Sequence, residues 1–172
     1  TFADIVGAYL DYTLAEPDRA ISRIERLTDR LRDGLAGESF GAVVVVPHIL
    51  ALSFGGWYAA DLGRMELARR WTDEAMVLSA AQGHAYSQLL ARLARGFLCL
   101  REGRTAEALA TLREAHDHCL RHSFFGFEPA CVAWLAIAAL ESGAPAEARQ
   151  CLADSIERGH FRRIRTSATY YH

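Results

Sequence analysis

The chain has 172 residues, of which 51% are hydrophobic and 23% are charged, and its formal net charge is −2 at pH 7. This balance excludes the strongly basic surface that draws proteins to nucleic acids or anionic membranes, so we expect neither as a partner. No fully apolar run approaches the ~20 residues needed to cross a bilayer. The four cysteines lack C-x-x-C spacing, and we expect them to be buried, reduced thiols in a cytoplasmic protein.

The sequence is helix-favouring nearly throughout, with Gly and Pro at the breaks. The predicted helices cover 2–14, 18–35, 43–62, 64–82, 84–102, 104–122, 127–142 and 144–159, and a further helix starts near 160. Residues 43–46 are four valines, which by themselves favour a strand. Because no second strand-like run exists to pair with them, we predict the first turn of a helix, with Pro47 tolerated near that end.

Three glycines recur at an interval of 40 residues: Gly63, Gly103 and Gly143. Each lies between two helix-favouring segments and can adopt the left-handed conformation that ends a helix. Small residues follow each glycine at matching spacings: Ala68 and Ala75, Ala108 and Ala115, and Ala148 and Ser155. Small side chains let two helices cross closely. Helix–glycine–helix units with a period of about 20–50 residues predict an α-solenoid.

This register resembles the tetratricopeptide repeat, in which a helix A meets a helix B across a glycine turn. The matching positions are Gly56, Gly63, Ala68 and Ala75, then Gly96, Gly103, Ala108 and Ala115, then Ala136, Gly143, Ala148 and Ser155, with Ala8, Ala15 and Ala20 in a degenerate first unit. The resemblance implies an all-α fold: a right-handed solenoid of stacked antiparallel helix pairs in one domain, 1–172. It implies about four units, at 2–35, 43–82, 84–122 and 127–159. The period departs from the usual spacing of about 34 residues, which implies longer helices and a different pitch.

The longer units, rich in Ala and Arg, are similar to the helical repeat regions of large bacterial ATP-dependent regulators. These include LuxR-family regulators and ATPase modules linked to class III nucleotide cyclases. The resemblance implies a non-catalytic scaffold or sensor domain of a larger signalling or transcription regulator. Such a domain would bind a protein or peptide partner, another copy of itself, or a small-molecule inducer. The alternative is a stand-alone adaptor or peptide-sensing protein, and an enzyme is less expected.

In tetratricopeptide arrays the A helices line a groove, and the resemblance carries this role to specific positions here. The principal groove residues would be Leu50, Trp57, Asp61, Leu90, Leu93, Phe97, Arg101, Ile137 and Glu141, with Ser53, Ala60, Leu100, Ala130, Ala133 and Leu140 alongside. Such an aromatic wall with one charged residue per unit suits a helix, an extended peptide or a small apolar ligand. The same side chains could instead be buried against one another, and the sequence leaves both readings open.

Residues that could carry chemistry are few. The sequence contains no G-x-S-x-G, Walker-type or H-E-x-x-H motif, so we expect no catalytic residues and no cofactor. Residues 116–122 read HDHCLRH, and His118 and His122 could face one ion, although no third and fourth ligand is evident. We expect a polar helix end there and no metal. The Arg residues near 158–165 more readily form a polar helix face than a nucleic-acid site.

Overall fold

The computed structural model describes residues 2–32 and 46–158, and within these two stretches every regular element is a helix. The helices are α1 (Phe2–Thr13), α2 (Pro17–Arg30), α3 (Pro47–Asp61), α4 (Met65–Gln82), α5 (Ala85–Arg101), α6 (Thr105–Arg121), α7 (Glu128–Glu141) and α8 (Pro145–Arg158). The prediction of an all-α fold is confirmed. The helix expected from 160 onward lies outside the described residues.

The predicted start of the third helix was wrong. The structure begins α3 at Pro47 and places Val46 before it in an extended conformation, with φ −74° and ψ 117°. A proline ring crowds the residue that precedes it and disfavours the helical conformation there, while proline itself fits the first helical position. Residues 43–45 of the predicted first turn lie outside the described residues.

The recurring glycines end the A helices in the predicted way. Gly63 has φ +75°, and the amide of the next residue, Arg64, donates to the carbonyl of Ala59 over 2.8 Å. This is the bond of a Schellman motif, which satisfies a carbonyl left open at the helix end. The same bond recurs 40 and 80 residues later, from Arg104 to Cys99 and from Ala144 to Ala139. The repeat in the sequence is therefore a repeat of one helix-ending device.

The helices pack in neighbouring pairs along the chain, as predicted: α1 with α2, α3 with α4, α5 with α6, and α7 with α8. We call the first helix of each pair an A helix and the second a B helix. Among the described helices, the backbones of consecutive A helices approach one another, whereas the backbones of consecutive B helices do not. The B helices α6 and α8 meet only through long side chains, in the ion pair between Arg113 and Glu147. Each B helix also contacts the A helix that follows it. The A helices thus form an inner layer that joins the pairs.

Small residues lie where the helices of a pair cross. A Cβ atom added to Gly56 would lie 2.6 Å from Thr72 of α4, and one added to Gly96 would lie 2.5 Å from Leu112 of α6. Ala68, Ala108 and Ala148, the corresponding alanines of the B helices, are buried. Larger side chains at these positions would push the two backbones apart. The predicted burial of the three alanines is confirmed, and the close approach of the helices is seen at Gly56 and Gly96.

Replacing Ala108 with leucine should therefore lower the free energy of unfolding by about 1–3 kcal/mol, because three extra carbons have no space at the crossing. Ala110, an exposed alanine of the same helix, is the matched control. The Ala110→Leu change should stay within about 0.5 kcal/mol of the parent chain. Urea denaturation of the three proteins measures both values, and equal small effects would show that the buried face of α6 is misassigned.

Candidate functional site

A continuous series of aromatic rings crosses the four A helices. Tyr12 of α1 stacks on Tyr58 of α3, with ring centroids 4.1 Å apart. Trp57 directly precedes Tyr58 in α3. Its ring meets Trp134 of α7 edge-on, with centroids 4.7 Å apart, and its centroid lies 6.0 Å from that of Phe97 of α5. Phe97 and Trp134 are 4.9 Å apart. Ring pairs at these separations attract one another beyond their apolar burial, so the series holds the A helices together.

Two of these rings were predicted from the repeat, and others were not. Trp57 and Phe97 lie 40 residues apart and occupy the same register in α3 and α5. The same register in α7 is Ile137, whereas Trp134 lies about one turn earlier on that helix. Its equivalents are Phe54 in α3 and Ala94 in α5, so an aromatic residue recurs at this register in two of the three units, and this signal could have located Trp134.

A narrow apolar cleft opens beside the rings, between α3, α5 and α7. Its lining comprises Ser53, Phe54, Trp57, Leu90, Leu93, Ala94, Phe127, Ala130 and Trp134. The hydroxyl of Ser53 donates to the carbonyl of Ile49 over 2.7 Å and so does not point a free hydrogen-bonding group into the cleft. The free space is about 10 Å³, which holds about one water molecule. The aromatic side chains themselves fill most of this site.

The structure separates the predicted groove residues into two groups. The leucines Leu50, Leu90 and Leu93 are buried, with 3–7% of their surface exposed. Trp57 and Phe97 are half-buried, and the exposed members are Asp61, Arg101, Ile137 and Glu141. The three leucines are therefore buried inside the protein, while the aromatic residues and the charged residues reach the surface of the A-helix layer. We call Trp57, Phe97 and Ile137 together the A-helix face.

Polar contacts fix one edge of the A-helix face. The Tyr12 hydroxyl donates to Oδ2 of Asp61 over 2.5 Å, and burial together with this carboxylate raises the pKa of Tyr12. Arg101 reaches the carbonyl of Asp61 over 3.4 Å. The A helices α1, α3 and α5 are thus linked at their carboxyl ends by hydrogen bonds as well as by rings.

The three histidines of the 116–122 segment do not point their ring nitrogens at one common site. The rings of His118 and His122 are 4.5 Å apart, but Nε2 of His118 lies 2.8 Å from the carbonyl of Ala85 and is occupied by that contact. His116 faces α7, where its Nε2 lies 3.9 Å from Oε1 of Glu128. Across residues 2–32 and 46–158, no group of three or more His, Cys, Asp or Glu side chains could hold a metal ion.

The cysteines lie in the helix interfaces. Cys99, Cys119 and Cys131 are buried as predicted, Cys151 is partly buried, and all four are free thiols. Burial raises the pKa of Cys99 to about 11 and also raises the pKa of Cys131. Because the thiolate is the reactive form, these two side chains are poor nucleophiles at neutral pH. They pack as small apolar residues.

A buried histidine makes folding sensitive to acid. His48, near the start of α3, is 3% exposed, and neither ring nitrogen has a hydrogen-bond partner among the described residues. Burial lowers the pKa of His48 from 6.5, and the carboxylate of Glu74, 3.7 Å away, only partly opposes this. The unfolded chain then binds a proton more readily than the folded one. His48 therefore reduces stability progressively as the pH falls below about 6.5.

A His48→Leu variant should be more stable than the parent chain by about 1–3 kcal/mol at pH 5, because it removes a buried polar group that lacks partners. The gain should shrink as the pH rises toward 8, where the parent histidine is neutral in both states. Urea denaturation at pH 5, 6.5 and 8 measures the difference. His122→Leu, a change at an exposed histidine, is the control. A constant difference across this pH range would contradict the assignment.

No helix within residues 2–32 and 46–158 is both long and apolar enough to cross a membrane. No family model, curated protein or solved structure matches the chain. The resemblance to tetratricopeptide repeats therefore depends on the register of the small residues, on the recurring helix ends and on the pairing of the helices.

Proposed function

We propose that the four helix pairs are tetratricopeptide-like units, stacked as a right-handed solenoid. Two features support this. The same Schellman ending recurs in α3, α5 and α7 at the spacing of the repeat. The backbones of consecutive A helices approach one another along the chain while those of the B helices do not, as expected if the A helices occupy the inner side of the stack. The first unit is the degenerate one, and Ala15, with φ +59°, takes the place of the glycine.

The function we propose is that of a non-catalytic scaffold or sensor domain within a larger bacterial regulator, which binds a protein or peptide partner. The observation that carries this proposal is the A-helix face. Trp57 and Phe97 are half-buried and Ile137 is 44% exposed, so apolar side chains from three successive pairs reach one surface. Clustered aromatic anchors with surrounding charge are typical of the centre of a protein interface.

The size of the cleft favours a macromolecular partner over a small-molecule inducer. A free volume of about 10 Å³ accommodates about one water molecule, whereas a pocket for a drug-sized ligand is typically about 300–1000 Å³. A peptide or helix can instead lie across the face without entering the cleft. Apolar side chains at i, i+3 and i+4 of a partner helix would contact rings on adjacent A helices. A stand-alone adaptor would use the same surface in the same way.

Selection of random displayed peptides on the intact chain tests this proposal without knowledge of the natural partner. We expect enriched peptides to carry aromatic or branched aliphatic anchors. Their affinity should fall about thirtyfold or more, equivalent to about 2 kcal/mol, for the Trp57→Ala variant. The control is Val77→Ala, which shortens a side chain that is 69% exposed on the B helix α4 and should leave the affinity unchanged.

Charge variants at the edge of the face refine the same experiment. Removal of the exposed charge in an Arg101→Gln variant should alter mainly the association rate and its dependence on salt. Thermal melts of all variants confirm that each is folded. Peptides that bind Trp57→Ala and the parent chain equally well, or no enrichment at all, would contradict the proposal.

A further inference from the structure

One carboxylate, that of Glu74 in α4, lies between an arginine and a buried histidine. On one side is Arg32, two residues beyond the end of α2. Its Nε donates to Oε1 of Glu74 over 3.2 Å, and its Nη2 donates to Oε1 over 3.1 Å and to Oε2 over 2.8 Å. On the other side, Nε2 of His48 lies 3.7 Å from the same Oε1. One oxygen atom of Glu74 thus faces both side chains.

The contact between Arg32 and Glu74 links two helix pairs. Glu74 belongs to α4, and Arg32 directly follows α2, so the two residues come from the B helices of the first and second pairs. The backbones of α2 and α4 do not approach one another, which leaves side chains to bridge them. A second ion pair, between Arg64 and Asp18, joins α2 to the turn before α4. Arg32 and Glu74 are therefore one of a small number of polar links between these helices.

The ring of His48 depends on Glu74 when it gains a proton. His48 is 3% exposed, and neither ring nitrogen has a hydrogen-bond partner among the described residues. Within residues 2–32 and 46–158, the charged groups that act on the ring are Glu74 of α4 and Arg32 after α2, and none comes from α1, α3 or α5. A buried charge without a partner is strongly unfavourable. Glu74 is thus the one described anion that can stabilise a charged His48.

Arg32 needs the carboxylate less than a charged His48 does. The Arg32 side chain is 47% exposed, so water can hydrate its guanidinium group. Its Nη1 also donates to Oδ1 of Asp29 over 3.1 Å, which gives it a second anionic partner. His48 has neither water nor a second anion within the described residues. Once both side chains are charged, the folded protein is more stable with Glu74 turned toward His48.

We propose that a proton on His48 draws the carboxylate of Glu74 away from Arg32 and so opens this link between α2 and α4 in mildly acidic solution. At neutral pH the ring is uncharged, and Glu74 stays with Arg32. Burial lowers the pKa of His48 from 6.5, so the change of partner takes place below that pH. The change is reversible and occurs within the folded protein, where it alters one contact between two helix pairs.

The ion pair between Arg113 and Glu147 is a matched control within the same molecule. It joins the B helices α6 and α8, with Nε and Nη2 of Arg113 each 2.6 Å from a carboxylate oxygen. The two side chains are 49% and 32% exposed, close to the 47% and 27% of Arg32 and Glu74. Among the described residues, no histidine acts on either side chain. Mild acid should therefore leave this pair intact.

Carbon-detected NMR of the arginine Nε–Cζ groups tests the proposal on the intact chain. Arg32→Gln and Arg113→Gln variants assign the two signals. The exchange rate of the Arg32 Nε proton with solvent, divided by that of Arg113, should rise about two- to fivefold between pH 7 and pH 5, the size expected when an exposed ion pair is lost. Glutamate side chains are ordinarily ionised throughout this range, and the ratio removes the pH dependence of exchange itself.

A His48→Leu variant tests whether the histidine is the cause. Leucine removes the ring that gains the proton and suits a buried position, so the ratio should stay constant between pH 7 and pH 5. His122→Leu, which removes an exposed histidine, should retain the rise seen in the parent chain. Far-UV circular dichroism at both pH values shows that the variants are folded.

Two results would overturn the proposal. The ratio could stay constant in the parent chain, which would mean that acid affects both arginines alike, as a general loosening of the fold would. The rise could also persist in His48→Leu, which would mean that another group triggers it.

Discussion

Replacing Trp71 with alanine should lower the free energy of unfolding by about 3–5 kcal/mol, the cost typical of removing a large side chain from a core. Trp71 of α4 is 1% exposed and belongs to the core that joins α2, α3 and α4. Its ring lies so close to Gly55 that a Cβ there would be 2.7 Å from it. Gly55 has no side chain that could move into the space left by the ring, so Trp71→Ala leaves a cavity at this contact.

Urea denaturation followed by far-UV circular dichroism measures the effect of Trp71→Ala. The control is Val77→Ala on the same helix, at a side chain that is 69% exposed, and it should stay within about 0.5 kcal/mol of the parent chain. A loss below about 1 kcal/mol for Trp71→Ala would mean that α4 is not packed as described.

Replacing Glu128 with alanine, which removes its carboxylate, should lower the free energy of unfolding by about 2–3 kcal/mol. Glu128 is the first residue of α7 and is fully buried, and it accepts hydrogen bonds from Ser155 over 3.1 Å and from Nε of Arg158 over 2.8 Å. Breaking a buried ion pair usually costs about 3–5 kcal/mol. The expected loss is smaller for Glu128→Ala because the Arg158 side chain is 32% exposed and can be hydrated when it is left alone.

The reverse change, Arg158→Ala, should also lower the free energy of unfolding, because it removes the hydrogen bond that Nε of Arg158 donates to the buried carboxylate. The double variant should be clearly less destabilised than the sum of the two single variants, since the contact between Glu128 and Arg158 can be lost only once. Urea denaturation of the four proteins completes the cycle. Additive losses would show that Glu128 and Arg158 do not act as a pair.

The sequence predicted the helices well because their ends are encoded locally. Gly63, Gly103 and Gly143 end three A helices, and apart from the end of α2 and the start of α3 the predicted boundaries agree with the structure to within one residue. The predicted start of α3 was wrong because two signals oppose each other there. The register of the repeat favours a helix through the four valines, whereas Pro47 disfavours a helical conformation at the residue before it. The steric effect of the proline on Val46 outweighs the continuity of the repeat.

The candidate site was predictable only in part, because the repeat register specifies a position on a helix but not what packs against it. Leu90 and Leu93 were placed on the groove with Phe97, yet they are buried in the cores while Phe97 is half-buried. Trp134 was missed because the tetratricopeptide register assigns the groove to other positions, although the counterpart of Trp134 in α3 is the aromatic residue Phe54. The burial of Glu128 depends on α8 folding back to bring Ser155 and Arg158 to it. Such a contact between the two helices of a pair, about 30 residues apart in the chain, has no local signal.

The central claim is that partners bind on the A-helix face, and the indole N–H signals of the three tryptophans test it in one NMR titration. Trp57 and Trp134 lie in the ring series of that face, whereas Trp71 is buried beneath α3. Adding a selected peptide to the ¹⁵N-labelled chain should shift the Trp57 and Trp134 signals together, with one binding curve, and leave the Trp71 signal in place. Saturable binding that leaves the Trp57 and Trp134 signals unmoved would contradict the account.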